Sequence, residues 1–164
     1  MSPDAHPDKL PEADLPSGRA ELIPANVDDL PALLAMMQAY YAYDGLEYSP
    51  EVEAAVSALL ALPDAGRVWL IQSQSQRIGY AVVTFWYSLE FRGKAAFLDE
   101  IYLTDAARGL GLGGEVIESI ATYCRGLGVH SLRLEVEHEN LRAQRAYHKA
   151  GFITHPRHLM TKWL

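Results

Sequence analysis

The sequence predicts an α/β fold, in which helices pack on both faces of one mixed sheet. Three observations support this class: a β-rich stretch from residue 67 to residue 103, a glycine-rich turn directly after it, and helical patterns on either side. The 164 residues suit a single domain. The predicted order of elements is β-α-α-β-β-β-α-β-α-β-β.

Composition narrows the classes of partner. The net charge of -7 argues against a nucleic-acid-binding surface and suits a cationic small molecule. No apolar run approaches the roughly 18 residues of a membrane span, and no secretory signal is evident, so we expect a cytoplasmic protein without a membrane partner. The lone cysteine, Cys124, lies on an apolar helical stripe and is predicted to be core. The histidines have no metal-ligand spacing, so no metal is expected.

The first half of the chain begins with a proline-rich, weakly apolar stretch, residues 1–18, which is predicted to be a disordered arm before a single domain over residues 19–164. A short strand follows at 21–24. One helix begins after Asn26 or Asp28, and a second runs from near Pro50 until residues 63–66. Strands are then predicted at 67–72, 78–89 and 95–103. The last of these is apolar on both faces, so it is expected to be central.

The second half of the chain contains two helices and three strands. A helix is predicted from 112 to 126, a strand from 131 to 137, and a helix from 140 to 150 that Asn140 caps. Two closing strands are predicted at 152–154 and 158–164.

The glycine-rich turn is Arg108-Gly109-Leu110-Gly111-Leu112-Gly113. Glycines let a backbone approach an anion closely, and the following helix presents its positive N-terminal end. Arg108 adds a formal positive charge, so a pyrophosphate is the expected guest. A Walker loop is not supported, because no Gly-Lys-Ser/Thr ending is present. A tight turn that binds no ligand is the alternative.

The spacing Arg108-x-x-Gly111-x-Gly113 resembles the Q/R-x-x-G-x-G/A motif of the GNAT acetyltransferase superfamily. Three further pieces in the same order are similar to that family: the opening Leu22–Ala25 with Asp28-Asp29, the strand Leu98–Leu103, and the block Leu132–Val136 followed by Asn140, Ala143, Tyr147 and Gly151-Phe152. The resemblance covers about residues 20–164. It implies a mixed, mostly antiparallel sheet of six to seven strands with a central splay and about four flanking helices. It also implies acetyl-CoA as the cofactor and a homodimer.

The resemblance also implies a cofactor site. The N–H groups of the turn would bind the pyrophosphate, the edge of the preceding strand would pair with the pantetheine arm, and the helix after residue 140 would contact the cofactor. The implied cofactor-binding residues are Ile101, Tyr102, Leu103, Arg108, Gly109, Leu110, Gly111, Leu112, Gly113, Gly114, Asn140 and Ala143. Tyr147 would lie near the sulfur. Its spacing from Asn140 and Ala143 puts the three on one helix face; a packed core tyrosine is the alternative.

Asp99 and Glu100 lie mid-strand among apolar neighbours, where charge is costly unless it is used. Deprotonating a lysine-like amine at pH 7 costs about 4.6 kcal/mol, so a carboxylate acts as its base only with a raised pKa or a water relay. Adjacent strand residues face opposite sides, so at most one of the two should point straight into the site. We favour Glu100 slightly over Asp99. The alternative is a salt-bridged pair.

Aromatic side chains beside an acid suit an ammonium group, so Tyr40, Tyr41, Asp44 and Trp86 are predicted to line an acceptor pocket. Ordinary core packing is the alternative. The chain is therefore predicted to be an N-acetyltransferase that acts on a small cationic or amino-acid-like primary amine through direct attack in a ternary complex. A protein or peptide amine as acceptor, a different acyl group, and a catalytically silent acyl-CoA-binding module remain open.

Overall fold

The computed structural model describes residues 19–164, so the predicted arm at 1–18 lies outside the described residues. The described chain forms a five-stranded sheet and four α-helices, which confirms the α/β class. The elements in chain order are β1 (Glu21–Pro24), α1 (Leu30–Asp44), α2 (Pro50–Leu60), β2 (Gly66–Ser73), β3 (Gln76–Ser88), β4 (Gly93–Leu103), α3 (Leu112–Gly126), β5 (Ser131–Arg133) and α4 (Leu141–Lys149).

The strands lie in the spatial order β1-β2-β3-β4-β5. The first four pair antiparallel with their neighbours, and β5 pairs parallel with β4. The strand predicted at 95–103 has a neighbour on each side at 95–97, so the prediction that it is central is confirmed for that part of β4.

Each face of the sheet carries its own apolar core. On one face, α3 packs Val116, Ile117 and Ile120 against inward residues of β2, β3 and β4, and Cys124 belongs to this core as predicted. On the other face, Leu33 and Met37 of α1 are buried with Tyr80 of β3 and Tyr102 of β4. Near the end of α1, Tyr40 contacts Tyr80 and Tyr41 contacts Glu100, so the last turns of this helix lie over the middle of β3 and β4.

A β-bulge interrupts β4 at Asp99. Val82 of β3 lies opposite Glu100, while the next residue of β3, Val83, lies opposite Leu98, so Asp99 is an extra residue without a partner in the ladder. A bulge bends its strand and increases the local twist.

The sheet splays apart beside this bulge. β4 pairs with β5 only from Ala95 to Phe97, and within residues 19–164 the edge of β4 from 98 to 103 has no partner on that side. The strand predicted at 131–137 accordingly ends at Arg133. A strand needs a partner for its backbone hydrogen bonds, and the pairing of this segment with β4 ends at Phe97 and Arg133.

The two predicted closing strands are absent from the described chain, so five strands form where six or seven were expected. Residues 152–164 have no regular structure, although their apolar pattern is strand-like. Ile153, Met160 and Trp163 are exposed. A strand requires a partner edge for its hydrogen bonds, and a sequence pattern alone does not provide one.

Candidate active site

The glycine turn joins the end of β4 to the start of α3. Gly109 and Gly111 have φ values of 81° and 82°, a conformation that favours glycine. Arg108 N donates to Thr104 O, and Gly114 N donates to Gly111 O. Among the described residues, the N–H groups from Gly109 to Gly111 have no backbone acceptor, and the first N–H groups of a helix have none by geometry. The donors that can face an anion are therefore those of 109–113.

Arg108 anchors this turn to the strand before it. Its Nε donates to Leu103 O at 2.8 Å, and its Nη1 lies 2.9 Å from the Asp105 carboxylate. The guanidinium also lies 4.0 Å from the ring centre of Tyr43. Because these contacts engage most of the guanidinium, the charge that the sequence assigned to anion binding is largely used to hold the turn.

A second guanidinium, which sequence reasoning missed, lies beside the turn. Arg142 Nη2 is 3.3 Å from the position that a β-carbon on Gly109 would occupy. Arg142 belongs to the first turn of α4, and Asn140 caps this helix by accepting a hydrogen bond from Ala143 N at 3.0 Å. The only sequence signal for Arg142 is its position two residues after the cap.

The unpaired edge of β4 lies between the turn and the bulge. Side chains of Ile101 and Leu103 pack into the α3 core, and Tyr102 is buried in the α1 core. Since the side chains are committed to the two faces, this segment offers its backbone at the splay. An extended ligand can add to such an edge as another strand would.

Glu100 points to the α1 face, where two phenols hold its carboxylate. Tyr41 donates to Oε1 at 3.0 Å, and Tyr80 donates to Oε2 at 2.8 Å. Burial raises the pKa of Glu100, and the two hydrogen bonds oppose that rise because they favour the ionised form. The ion pairs of the described chain do not include Glu100 or Asp99, so the predicted alternative of a salt-bridged acid pair is not seen.

Asp99 occupies the bulge and is exposed. The protein atoms around its carboxylate still remove part of the hydration, which raises its pKa. The two acids therefore have different surroundings: Glu100 is held by phenols on the α1 face, and Asp99 stands at the irregularity in the strand.

Tyr147 is half-buried on α4, with its ring 5.9 Å from that of Phe152. Burial raises the pKa of its hydroxyl, and the negative charge of Asp44 raises it further. The phenol therefore keeps its proton at neutral pH. That property is required of a group that donates a proton.

The predicted acceptor wall is only partly assembled. Tyr40 stacks edge-on against Tyr41 and Tyr80, and burial followed by the charge of Asp44 raises its pKa. Trp86 instead packs on Phe97, four residues along β3 from Val82, or roughly 13 Å at a strand's rise per residue. Tyr41 therefore contacts Glu100, and Tyr40 lies near both Glu100 and Asp44. Trp86 lies away from these residues, against Phe97.

A family model described as the acetyltransferase (GNAT) family matches residues 31–152. The chain belongs to the GNAT acetyltransferase family. Proteins of this family are acyltransferases, and the family uses acetyl-CoA. The positive-φ turn with its unpaired N–H groups fits the phosphates of that cofactor.

Known proteins similar to this GNAT enzyme include a curated relative, the thialysine N-epsilon-acetyltransferase of Bos taurus, which is 29% identical over 108 residues. The match covers 66% of this chain and only 59% of the relative's length. An integron cassette protein from the mobile metagenome of Cole Harbour Salt Marsh superposes with a TM-score of 0.77 at 32% identity, over 87% of this chain and 90% of that chain. An aminoglycoside N-acetyltransferase in complex with CoA has the same fold at 14% identity, with a TM-score of 0.74 over 94% of this chain and 99% of that chain.

No helix among residues 19–164 of this GNAT enzyme is long and apolar enough to cross a membrane.

Proposed function

We propose that this enzyme transfers the acetyl group of acetyl-CoA to the primary amine of a small, lysine-like cationic compound. The observation that carries the proposal is the position of Glu100 at the splayed edge of β4, between the bulge at Asp99 and the glycine turn. An acid thus lies on the stretch of β4, residues 98–103, whose edge has no partner strand within the described chain.

The cofactor would be held mainly by backbone. The N–H groups of 109–113 would bind the pyrophosphate, the edge of β4 at 101–103 would pair with the pantetheine arm, and the α4 face with Asn140 and Ala143 would line the other side. When bound, acetyl-CoA supplies an activated acyl carbonyl and a thiol leaving group.

Glu100 would accept the proton of the incoming ammonium group, directly or through water. For an ordinary glutamate, that transfer from a lysine-like amine is uphill by about 8 kcal/mol. Each unit by which burial raises the pKa of Glu100 lowers this cost by about 1.4 kcal/mol. Asp99, whose pKa is also raised, would be the alternative acceptor of the proton.

The bulge would stabilise the negative charge that develops on the acyl oxygen. The residue added by a bulge leaves the ladder locally disrupted, and a backbone N–H there would be the donor to the acyl oxygen. Such fixed donors are worth several kcal/mol when they point at developing charge.

Tyr147 would return a proton to the departing thiolate. At ordinary pKa values a phenol is a weaker acid than a thiol, so the transfer is uphill by about 2 kcal/mol. That cost is small beside the barrier that an unprotonated leaving group would add. The half-buried position of Tyr147 on α4 supports this role.

The acceptor would bind where α1 ends over the sheet. The rings of Tyr40 and Tyr41 and the carboxylate of Asp44 form an aromatic and acidic surface, which attracts an ammonium group. The net charge of -7 would favour the approach of a cation. The relative that acts on thialysine supports a lysine-like acceptor, and the aminoglycoside acetyltransferase fold supports a small amine more generally.

The test is thiol release from acetyl-CoA with a panel of thialysine, lysine, sisomicin and a lysine-containing peptide. We expect the highest kcat/KM with thialysine or lysine. Preference for the peptide would move the function to a protein amine. Binding of acetyl-CoA without turnover on any acceptor would leave a silent acyl-CoA-binding module, and the absence of binding would contradict the proposal as a whole.

A further inference from the structure

Tyr80 is fully buried in the middle of β3, yet its hydroxyl reaches a carboxylate. Its exposed fraction is 0%, and the hydroxyl donates to Glu100 Oε2 at 2.8 Å. The ring packs between those of Tyr40 and Tyr102. A phenylalanine ring could fill the same space, so the feature that distinguishes Tyr80 here is the hydrogen bond from its hydroxyl to Glu100.

The second phenol comes from a different element. Tyr41 belongs to α1 and donates to Glu100 Oε1 at 3.0 Å, while its ring contacts that of Tyr48 edge-on. One carboxylate oxygen is thus fixed from the sheet and the other from the helix. A carboxylate has about four lone-pair sites, so each oxygen can still accept one more proton or hydrogen bond.

Two neutral phenols, Tyr41 and Tyr80, hold the Glu100 carboxylate, and we call this pair of hydrogen bonds the clamp. The groups that face Glu100 are Tyr80 from β3, Tyr41 and Tyr40 from α1, and Asp99 from its own strand, and none of them is a cation. A cation would stabilise the carboxylate too strongly for a base and would repel an ammonium substrate. Two phenols fix the carboxylate's orientation and leave its negative charge to attract the amine.

We propose that Tyr80 is a positioning residue, which together with Tyr41 holds the Glu100 carboxylate in the orientation that receives the acceptor's proton. The inference rests on the proposed function, because it takes Glu100 as the base. Tyr80 contacts the base and not the acceptor.

The test is the pH dependence of kcat/KM in Tyr80→Phe. Loss of a donor to the ionised carboxylate raises the pKa of Glu100, so the acidic limb of the profile should move upward by about one pH unit. Tyr41→Phe should move the limb in the same direction, and the double variant should move it further. Tyr41→Phe also keeps the test decisive if Tyr80→Phe does not fold.

The matched control is Tyr123→Phe. Tyr123 accepts a hydrogen bond from Arg67 Nε at 2.9 Å and packs against the opposite face of the sheet. The variant therefore removes a phenol hydroxyl that lies away from Glu100. Its acidic limb should coincide with that of the parent enzyme. A purely structural role for Tyr80 would lower activity at every pH without moving the limb, and that result would overturn the proposal.

The inference and the proposed function fail in different ways. If Glu100→Gln keeps the parent rate, Glu100 is not the base, and both the assignment and its positioning residue are wrong. If Glu100→Gln is impaired but neither phenylalanine variant moves the acidic limb, the proposed function stands and only the clamp is wrong.

Discussion

The guanidinium of Arg142, on α4, lies against Gly109 of the glycine turn, with Nη2 3.3 Å from the position of a β-carbon on that residue. Arg108, which the motif itself supplies, spends its guanidinium on Leu103 O, Asp105 and the ring of Tyr43. The positive charge closest to a bound phosphate is therefore expected to come from α4.

Arg142→Ala should raise the KM for acetyl-CoA about tenfold and leave kcat nearly unchanged, because an ion pair to a phosphate contributes to binding alike in the ground and transition states. The loss should shrink at high salt. Arg125→Ala, which removes a guanidinium paired with Glu118 near the opposite end of α3, is the control and should behave as the parent enzyme. An unchanged KM in Arg142→Ala would exclude the contact.

Glu100→Gln or Asp99→Asn should lower kcat at neutral pH at least tenfold, because the acid that accepts the ammonium proton is lost. The comparison also decides between the two acids, since the larger loss identifies the proton acceptor. Steady-state rates of both variants with the best amine give the answer, and parent-like rates in both would remove the acids from the mechanism.

Tyr147→Phe should lower kcat by about tenfold to a hundredfold while the KM for acetyl-CoA changes little, since the phenol acts when the thiolate departs. Its ring contact with Phe152 does not require the hydroxyl, so folding should be preserved. The measurement is kcat at saturating substrates. A rise in KM without a fall in kcat would show that Tyr147 only packs against the cofactor.

Asp99→Asn should raise the thermal midpoint at pH 7. The pKa of Asp99 is raised in the folded state, so the folded form retains its proton to a higher pH than the unfolded form does. Stability therefore falls as pH rises from the unfolded pKa, near 4, through the folded pKa, and the variant avoids this loss. At about pH 2, well below both pKa values, the aspartate is protonated in both states, and the two proteins should melt alike. A gain that persists unchanged in acid would indicate another cause.

Much of the architecture is readable from local patterns. The helix predicted at 112–126 coincides with α3, because an apolar stripe and a glycine-rich start mark it unambiguously. The two acids lie on β4 and the glycine turn lies between β4 and α3, as predicted, while the roles of these residues remain predictions. Such features depend on residues close together in the sequence, so local patterns predict them.

Features that depend on distant contacts were missed. The bulge was not predicted, because strict alternation of Asp99 and Glu100 is the default expectation for a strand. Tyr80 reads as one aromatic residue in an apolar strand, and its role becomes visible only when Glu100 is placed beside it. The prediction of strands at 152–154 and 158–164 was wrong. These residues have an apolar, strand-like pattern but no partner strand within the described chain.

The alternation of side chains between the two faces of β4 is preserved across the bulge. Phe97 and Glu100 share one face of β4, while Leu98 and Ile101 share the other, so alternation runs without error if Asp99 is simply skipped. The sheet would therefore close over a one-residue deletion with every remaining side chain on its present face. What would disappear is the interruption in the ladder, and with it the backbone N–H that the proposed chemistry assigns to the bulge. The fold of this strand is therefore compatible with a chain one residue shorter, whereas the proposed reaction requires the extra residue, Asp99.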